Sequence, residues 1–289
     1  MISIIICNRN KDISPTLKKN ITETIGIEHE IICIDNSTNQ YNIFQAYNLG
    51  IREAKYSIIC FMHDDILYHT VNWGKKIAAY FQNPQIGMLG IAGPTYMSKS
   101  PGIWWGIENP QNRTYSIRQH NLDTNRLDQS EQHLTNNNPY NESISEVVAL
   151  DGLFFCIPKR LFEKISFDEK FGGFHFYDID ISMQVNQLGY KCICIYDILI
   201  EHISTPNLSK EWIYASRKFF DKWKSYLPVS TYPYDNKRIY NMEKNSLQTI
   251  LNILSTNHIP FYKYFNINEI IRISYKHKRF ILKKIFKKL

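Results

Sequence analysis

Apolar residues in the first third of the chain fall into three short unbroken runs, separated by stretches with helical spacing. The runs are "ISIIIC" (2–7), the strand within "HEIICIDNS" (29–37) and "YSIICFM" (56–62). They are rich in branched residues and lack a two-residue alternation, the pattern of strands covered on both faces. Between them, "KDISPTLKKNITETI" and "IFQAYNLGIREAK" (43–55) repeat apolar residues at intervals of three and four, which predicts helices. Strand, helix, strand, helix, strand predicts βαβ units and a parallel sheet. Ligands of such sheets gather beyond the carboxyl ends of the strands. Asn8, Asp35 and Asp65 follow these strands closely, so three polar groups are expected to share one rim.

Further on, "VNWGKKIAAYFQNP" predicts a helix stopped near Pro84, and "IGMLGIAGP" a strand. Residues 107–145 are polar, rich in Asn and Gln and without a clear period. They read as a long mobile loop, with a functional lid and a tolerated insertion both open. "SEVVALDGLFFCIPKRLFEKI" predicts a strand, a turn and a short helix. A Gly-Gly loop then leads into a helix from about 179, ended near Gly189. "CICIYDILIEHIS" predicts one strand ending at His202, and "SKEWIYASRKFFDKWKSYL" an amphipathic helix with its aromatics on one side. The expected organisation is a domain over 1–227 and a helical extension over 228–289.

Composition sharpens this outline. Among 289 residues, 44% are hydrophobic and 21% charged, as in globular chains with a core. The six cysteines include no CxxC pair and sit mostly in apolar runs, so buried reduced thiols in a cytoplasmic protein are expected rather than a zinc ribbon. The N-terminal run is read as a strand, not a signal peptide, and no stretch approaches a membrane span. Residues 270–289, "IIRISYKHKRFILKKIFKKL", carry eight of the 34 Lys and Arg and no acid, which leaves 26 bases against 27 acids elsewhere. A basic tail on a near-neutral body points to an anionic surface as partner, not to a nucleic-acid binder. The helical spacing from Phe280 to Leu289 suits a helix lying on an anionic leaflet, and equally one docked on the body with its bases in solvent.

The third run ends in His63-Asp64-Asp65. Adjacent carboxylates at a strand end repel one another unless a cation sits beside them. Mg²⁺ or Mn²⁺ suits such a place, because hard cations take one or two carboxylates together with substrate phosphates. A solvated turn or a helix cap is the bland alternative for the dipeptide alone.

The surroundings supply more. "ISIIICNRN", "EIICIDNST", "AYNLGIREAKYSIICFMHDD", "DGLFFCIPKRLFEKI" and "FYDIDISMQVNQLGY" together resemble, in order and spacing, the inverting family 2 glycosyltransferases of the GT-A fold. The branch is one with His first in its acidic strand-end motif. The resemblance covers roughly residues 1–205. It implies an α/β, Rossmann-like fold with a mostly parallel central sheet and flanking helices. It also implies sugar transfer from a nucleotide-sugar, usually a UDP-sugar, to a glycan or lipid-linked acceptor.

On these motifs, Asn8, Arg9, Asp35, Asn36, Asn48 and Asp64 are expected at the donor. Asp65, His63 and His202 are expected at a Mn²⁺ or Mg²⁺ ion. Asp178 is expected as the general base, with Asp180 second, because an attacking hydroxyl must surrender its proton to a carboxylate in reach. Tyr177 replaces the Glu that usually precedes that base. Asp151, Gly152, Trp104, Trp105 and His175 are expected on the acceptor side. An N-cap role for Asp178, a plain turn at Asp151-Gly152, core packing for one of the tryptophans and a structural role for His175 are the alternatives. A nucleotidyltransferase is the competing enzyme, against which stands the absence of Gly from "CNRNKDISP". A non-catalytic binding module is the competing class, motivated by His63 and Tyr177.

Overall fold

In the computed structural model, the described residues are 1–100, 103, 113–121, 131–202 and 208–270. The chain runs β1 (Ile2–Asn8), α1 (Pro15–Thr24), β2 (His29–Asp35), α2 (Ile43–Glu53), β3 (Ile58–Met62) and β4 (Ile66–Tyr68). It continues with α3 (Trp73–Tyr80), β5 (Ile86–Gly90), β6 (Ala92–Pro94), β7 (Tyr96–Met97), β8 (Arg113–Asn121), β9 (Glu131–Asn137), β10 (Ile144–Val147) and β11 (Phe154–Pro158). The last part holds α4 (Tyr177–Gln187), β12 (Lys191–Ile195), β13 (Ile200–His202), α5 (Lys210–Trp223), β14 (Val229–Ser230), α6 (Asn236–Thr256) and α7 (Phe261–Tyr264).

The central sheet has seven strands in the order β10-β12-β5-β11-β3-β1-β2. β1 pairs in parallel with β2 and β3, as the sequence pattern predicts. Five of the seven strands run in one direction, as expected, and the sheet is mixed because β11 lies antiparallel between β3 and β5 and β10 antiparallel on β12. The reversal of β11 matters for the site: its start, not its end, lies on the rim where β1 and β3 finish.

Both faces of this sheet are covered, which explains the unbroken apolar runs. Ile2, Ile4 and Ile6 of β1, with Ile58, Cys60 and Met62 of β3, pack toward α1 and α3 through Leu17, Ile21, Trp73 and Ile77. Ile5, Ile59 and Phe61 face α2 and α4, meeting Phe44, Tyr47, Ile181 and Val185. The two-residue strand period is therefore present but hidden, since each face finds an apolar partner. α2 lies close on β1 because Gly50 has no side chain there: a Cβ would fall 2.4 Å from Ile5 Cγ2. α2 starts with a capping box between Asn42 and Gln45.

Two expectations change at a second sheet of five strands, in the order β4-β13-β8-β6 with β9 beside β8. Within 107–145, where a long loop is expected, the described residues form β8 and β9, paired antiparallel, and then β10. The alternation in "RTYSIRQHN" was the available signal, diluted by the Asn- and Gln-rich flanks. The expected single strand ending at His202 is two strands, β12 in the large sheet and β13 in the small one. β13 pairs antiparallel with β4, setting His202 opposite Ile66.

The C-terminal helices pack on α5. Trp212 and Ile213 share a cluster with Leu247, Ile250, Leu254, Tyr264 and Phe265. Arg217 of α5 holds Glu269 at 2.7 Å in a largely buried ion pair. Glu243 of α6 accepts hydrogen bonds from Tyr96, Ser98 and the Lys99 amide. No helix among the described residues is long and apolar enough to cross a membrane. The basic segment proposed for an anionic surface lies, from residue 271 onward, outside the described residues.

Phe61 is fully buried, with ring centroids of Tyr47, Phe155 and Phe167 4.9, 5.0 and 5.1 Å away. Phe61→Ala is expected to cost about 3–5 kcal/mol of unfolding free energy in urea titrations, the transfer term plus the cavity left among these rings. A loss below about 1 kcal/mol would contradict this packing.

Candidate active site

Three elements bring polar groups to the carboxyl rim. β1 and β2 end in register at Asn8 and Asp35, and His63-Asp64-Asp65 are the three residues between the end of β3 and the start of β4. The antiparallel β11 starts from the same rim, so Asp151 and Gly152 arrive there, with the His63 amide donating to the Leu153 carbonyl at 3.1 Å. β13 ends beside Asp65 because it pairs with β4. α4 begins at the rim after a loop in which Gly172, Gly173 and Phe176 adopt left-handed backbone angles.

His63, Asp65 and His202 form one cluster. Asp65 Oδ1 lies 3.7 Å from His63 Nδ1 and 3.6 Å from His202 Nε2. These separations are too long for hydrogen bonds, yet one ligand atom of each residue lies within 4.8 Å of the others. Asp65 Oδ1 is buried and, among the described residues, has no hydrogen-bond partner. A buried, unmatched carboxylate oxygen between two imidazoles fits a divalent cation, which would supply the missing partner. Burial pushes the His202 imidazole down, although Asp65 opposes that, and a neutral ring is the form that ligates metal.

Arg9 closes the outer side of this cluster. Its guanidinium is 3.4 Å from Asp64 Oδ1 and 3.8 Å from Asp65 Oδ2, and its side chain is largely exposed. It therefore sits over the acids at the end of β3.

Asp178, in the first turn of α4, meets the strand rim directly. Its Oδ2 accepts from the Gly152 amide at 2.7 Å and its Oδ1 from the Ile179 amide at 2.8 Å. Burial, then the charge of Asp151, pushes its pKa from the usual carboxylate value up to about 7, against the two amides that favour the anion. Asp151 itself accepts from the Leu153 amide at 3.0 Å. Tyr177, which sequence reasoning noted only as a replacement, bridges the two groups. Its hydroxyl lies 2.9 Å from His63 Nε2 and 3.2 Å from the Gly152 carbonyl. Its position beside Asp178 was visible in the sequence; its reach to His63 depends on the three-dimensional meeting of α4 with β3.

Several expected site residues have other work. Asp180 is a correction: two residues along a helix turn a side chain through about 200°, so it faces away from Asp178's side. It is 1% exposed and bonded to Trp223 Nε1 at 2.8 Å, Lys222 Nζ at 2.8 Å and Gln184 Nε2 at 2.8 Å. It fastens α5 to α4. Asn48 also moves out of the donor set. It points from α2 to the 166–169 loop, donating to Phe167 O and Glu169 Oε1, both at 2.9 Å.

Asn8 and Asn36 are on the rim but spend their amides on its loops. Asn8 donates to Asp12 O at 2.7 Å, and Asn36 makes paired bonds with the Tyr41 backbone, each 2.9 Å. Asp35 accepts locally from the Ser37 amide at 2.9 Å. It lies two strand spacings from β3, about 10 Å across the sheet. His175 precedes α4, half-buried, with its pKa lowered by burial. Trp104 and Trp105 lie outside the described residues.

Asp178 gives the site a pH signature. Its folded pKa exceeds its unfolded one, so between about pH 4 and 7 the folded protein keeps a proton that the unfolded chain releases. Stability due to this group is therefore lost as pH rises through that window. In metal-free protein, the stability of wild type relative to Asp178→Asn should fall from about pH 4 to about pH 7 and then level off. Urea midpoints across pH measure this; a difference independent of pH would contradict the assignment.

A family profile described as "Glycosyltransferase like family" matches residues 3–232. No curated protein matches the chain. Among solved structures, a mannosyltransferase from Pyrobaculum calidifontis in complex with GDP-mannose and Mn²⁺ is similar at 12% identity. Its TM-score is 0.51, over 94% of this chain and 78% of that one. The structure of GalNAc-T7 with UDP, GalNAc and Mn²⁺ also matches, at 12% identity and TM-score 0.48 over 92% of this chain. The chain spans 58% of the length of that GalNAc-T7 structure. With the mixed seven-stranded sheet, its flanking helices and this family match in place, the chain belongs to the Glycosyltransferase like family.

Proposed function

We propose that this chain transfers a sugar from a nucleoside diphosphate sugar, with a UDP-sugar as first choice, to a hydroxyl of a glycan or glycolipid. The transfer proceeds with inversion and belongs to cell-surface polysaccharide assembly. The observation that carries the reading is the meeting of His63, Asp65 and His202 with Asp178 on one rim, through Gly152 and Tyr177.

In this reading, Asp65, His63 and His202 hold Mn²⁺ or Mg²⁺, and the two imidazoles favour Mn²⁺. A bound ion would neutralise the charge that develops on the departing diphosphate. Arg9, already over Asp64 and Asp65, meets the same phosphates. Asp35, two strands away, receives the ribose or base, a separation that suits a nucleoside diphosphate lying along the rim. Asp178 accepts the acceptor hydroxyl's proton as that oxygen attacks the anomeric carbon opposite the leaving diphosphate. A pKa pushed up to about 7 makes it a stronger base than an exposed carboxylate. Asp151, Gly152 and His175 border the acceptor. The basic segment 270–289 brings the chain to the anionic cytoplasmic face where lipid-linked acceptors lie.

Purified protein incubated with nucleotide-sugars and a lipid-linked or glycan acceptor should show Mn²⁺-dependent transfer. Asp65→Ala and Asp178→Asn should each lower kcat by about 10²-fold or more. Turnover unchanged in both variants would remove the roles given to those two residues.

A further inference from the structure

We propose that Tyr177 is a positioning residue that fixes the ring tautomer of His63, so that His63 Nδ1 presents a lone pair toward Asp65 and His202. The inference rests on the metal-ion reading above and assigns a task to a residue outside the expected ligand set.

A tyrosine hydroxyl carries one proton and can accept two hydrogen bonds, and a backbone carbonyl only accepts. The Tyr177 hydroxyl lies 3.2 Å from the Gly152 carbonyl, so its proton goes there. The contact with His63 Nε2, at 2.9 Å, must then be donated by the imidazole. A neutral ring with its proton on Nε2 has a bare Nδ1, and Nδ1 is the nitrogen 3.7 Å from Asp65 Oδ1. The opposite tautomer would aim a proton into the space shared with Asp65 and leave the Gly152 carbonyl without this donor.

The packing makes Tyr177 a firm reference point. It is 6% exposed and opens α4, with its ring edge-on to Tyr47 and Phe44 at centroid distances of 5.4 and 6.3 Å. Gly152 is shaped for it: a Cβ there would fall 2.1 Å from the Tyr177 oxygen. The Gly152 amide meanwhile holds Asp178 at 2.7 Å. Partners that orient a metal-binding histidine through its other nitrogen commonly govern affinity as strongly as 10–100-fold.

The test uses the full chain, free of metal and then titrated with Mn²⁺. Long-range ¹H–¹⁵N spectra of metal-free wild type should show His63 protonated on Nε2. Tyr177→Phe keeps the ring and removes the hydroxyl. It should mix or reverse the tautomer and weaken Mn²⁺ binding by about 10–100-fold in calorimetry, with circular dichroism unchanged. In a His63→Ala background, the same substitution should produce little further loss, since its effect passes through that ring.

The proposal is overturned by His63 protonated on Nδ1 in wild type, or by undiminished Mn²⁺ affinity in Tyr177→Phe. An equal loss in both backgrounds also overturns it, because that pattern reports a general structural effect. Wild type that binds no Mn²⁺ brings down the metal-ion reading itself and this inference with it. The first three outcomes, in a protein that does bind Mn²⁺, remove only the role of Tyr177.

Discussion

The peptide group at Gly152 ties the strand rim to the helix that carries Asp178. Its amide donates to Asp178 and its carbonyl accepts from Tyr177, so both faces of one residue are committed to the first turn of α4. The position exists because β11 runs against its neighbours and begins where they end. A parallel strand in that place would have put its carboxyl end there instead. Absence of a side chain then lets the Tyr177 ring approach. The alignment of α4 against β3, and with it the distance from Asp178 to the His63, Asp65 and His202 cluster, follows from this grip.

Electrostatics explain why the grip has to be firm. Asp64, Asp65, Asp151 and Asp178 crowd one rim, and like charges in a half-buried place raise each other's free energy. The chain answers in three ways. Arg9 lies over Asp64 and Asp65, two backbone amides face Asp178, and the raised pKa of Asp178 leaves it partly protonated near neutrality. Asp65 Oδ1 is left over, buried between two histidines. The arrangement is one in which added positive charge is the cheapest remaining relief.

Much of the framework was legible in the sequence, because β1, β2 and β3 carry unmistakable apolar runs and their last residues name the rim. His63, Asp65 and His202 followed from the order of motifs. What stayed hidden depended on direction rather than composition. β11 reads the same forward or reversed, so the mixed sheet had no local signal. The break between β12 and β13 falls within a nearly continuous apolar stretch, and only the switch of sheets reveals it. Asp178 and Asp180 look interchangeable as letters. Their separation on the helix sends one to Gly152 and the other to Lys222 and Trp223. The motifs placed Asn48 and Asn36 at the donor, and their amides bond the 166–169 loop and the Tyr41 backbone.

The Arg217–Glu269 pair gives the C-terminal segment a mechanical meaning. The Glu269 carboxylate is clasped by a guanidinium on α5. α5 in turn is pinned to α4 by Lys222 and Trp223 on Asp180, two residues from Asp178. Glu269, α5 and α4 are thus joined in one chain of ion pairs and hydrogen bonds that ends in the helix carrying Asp178.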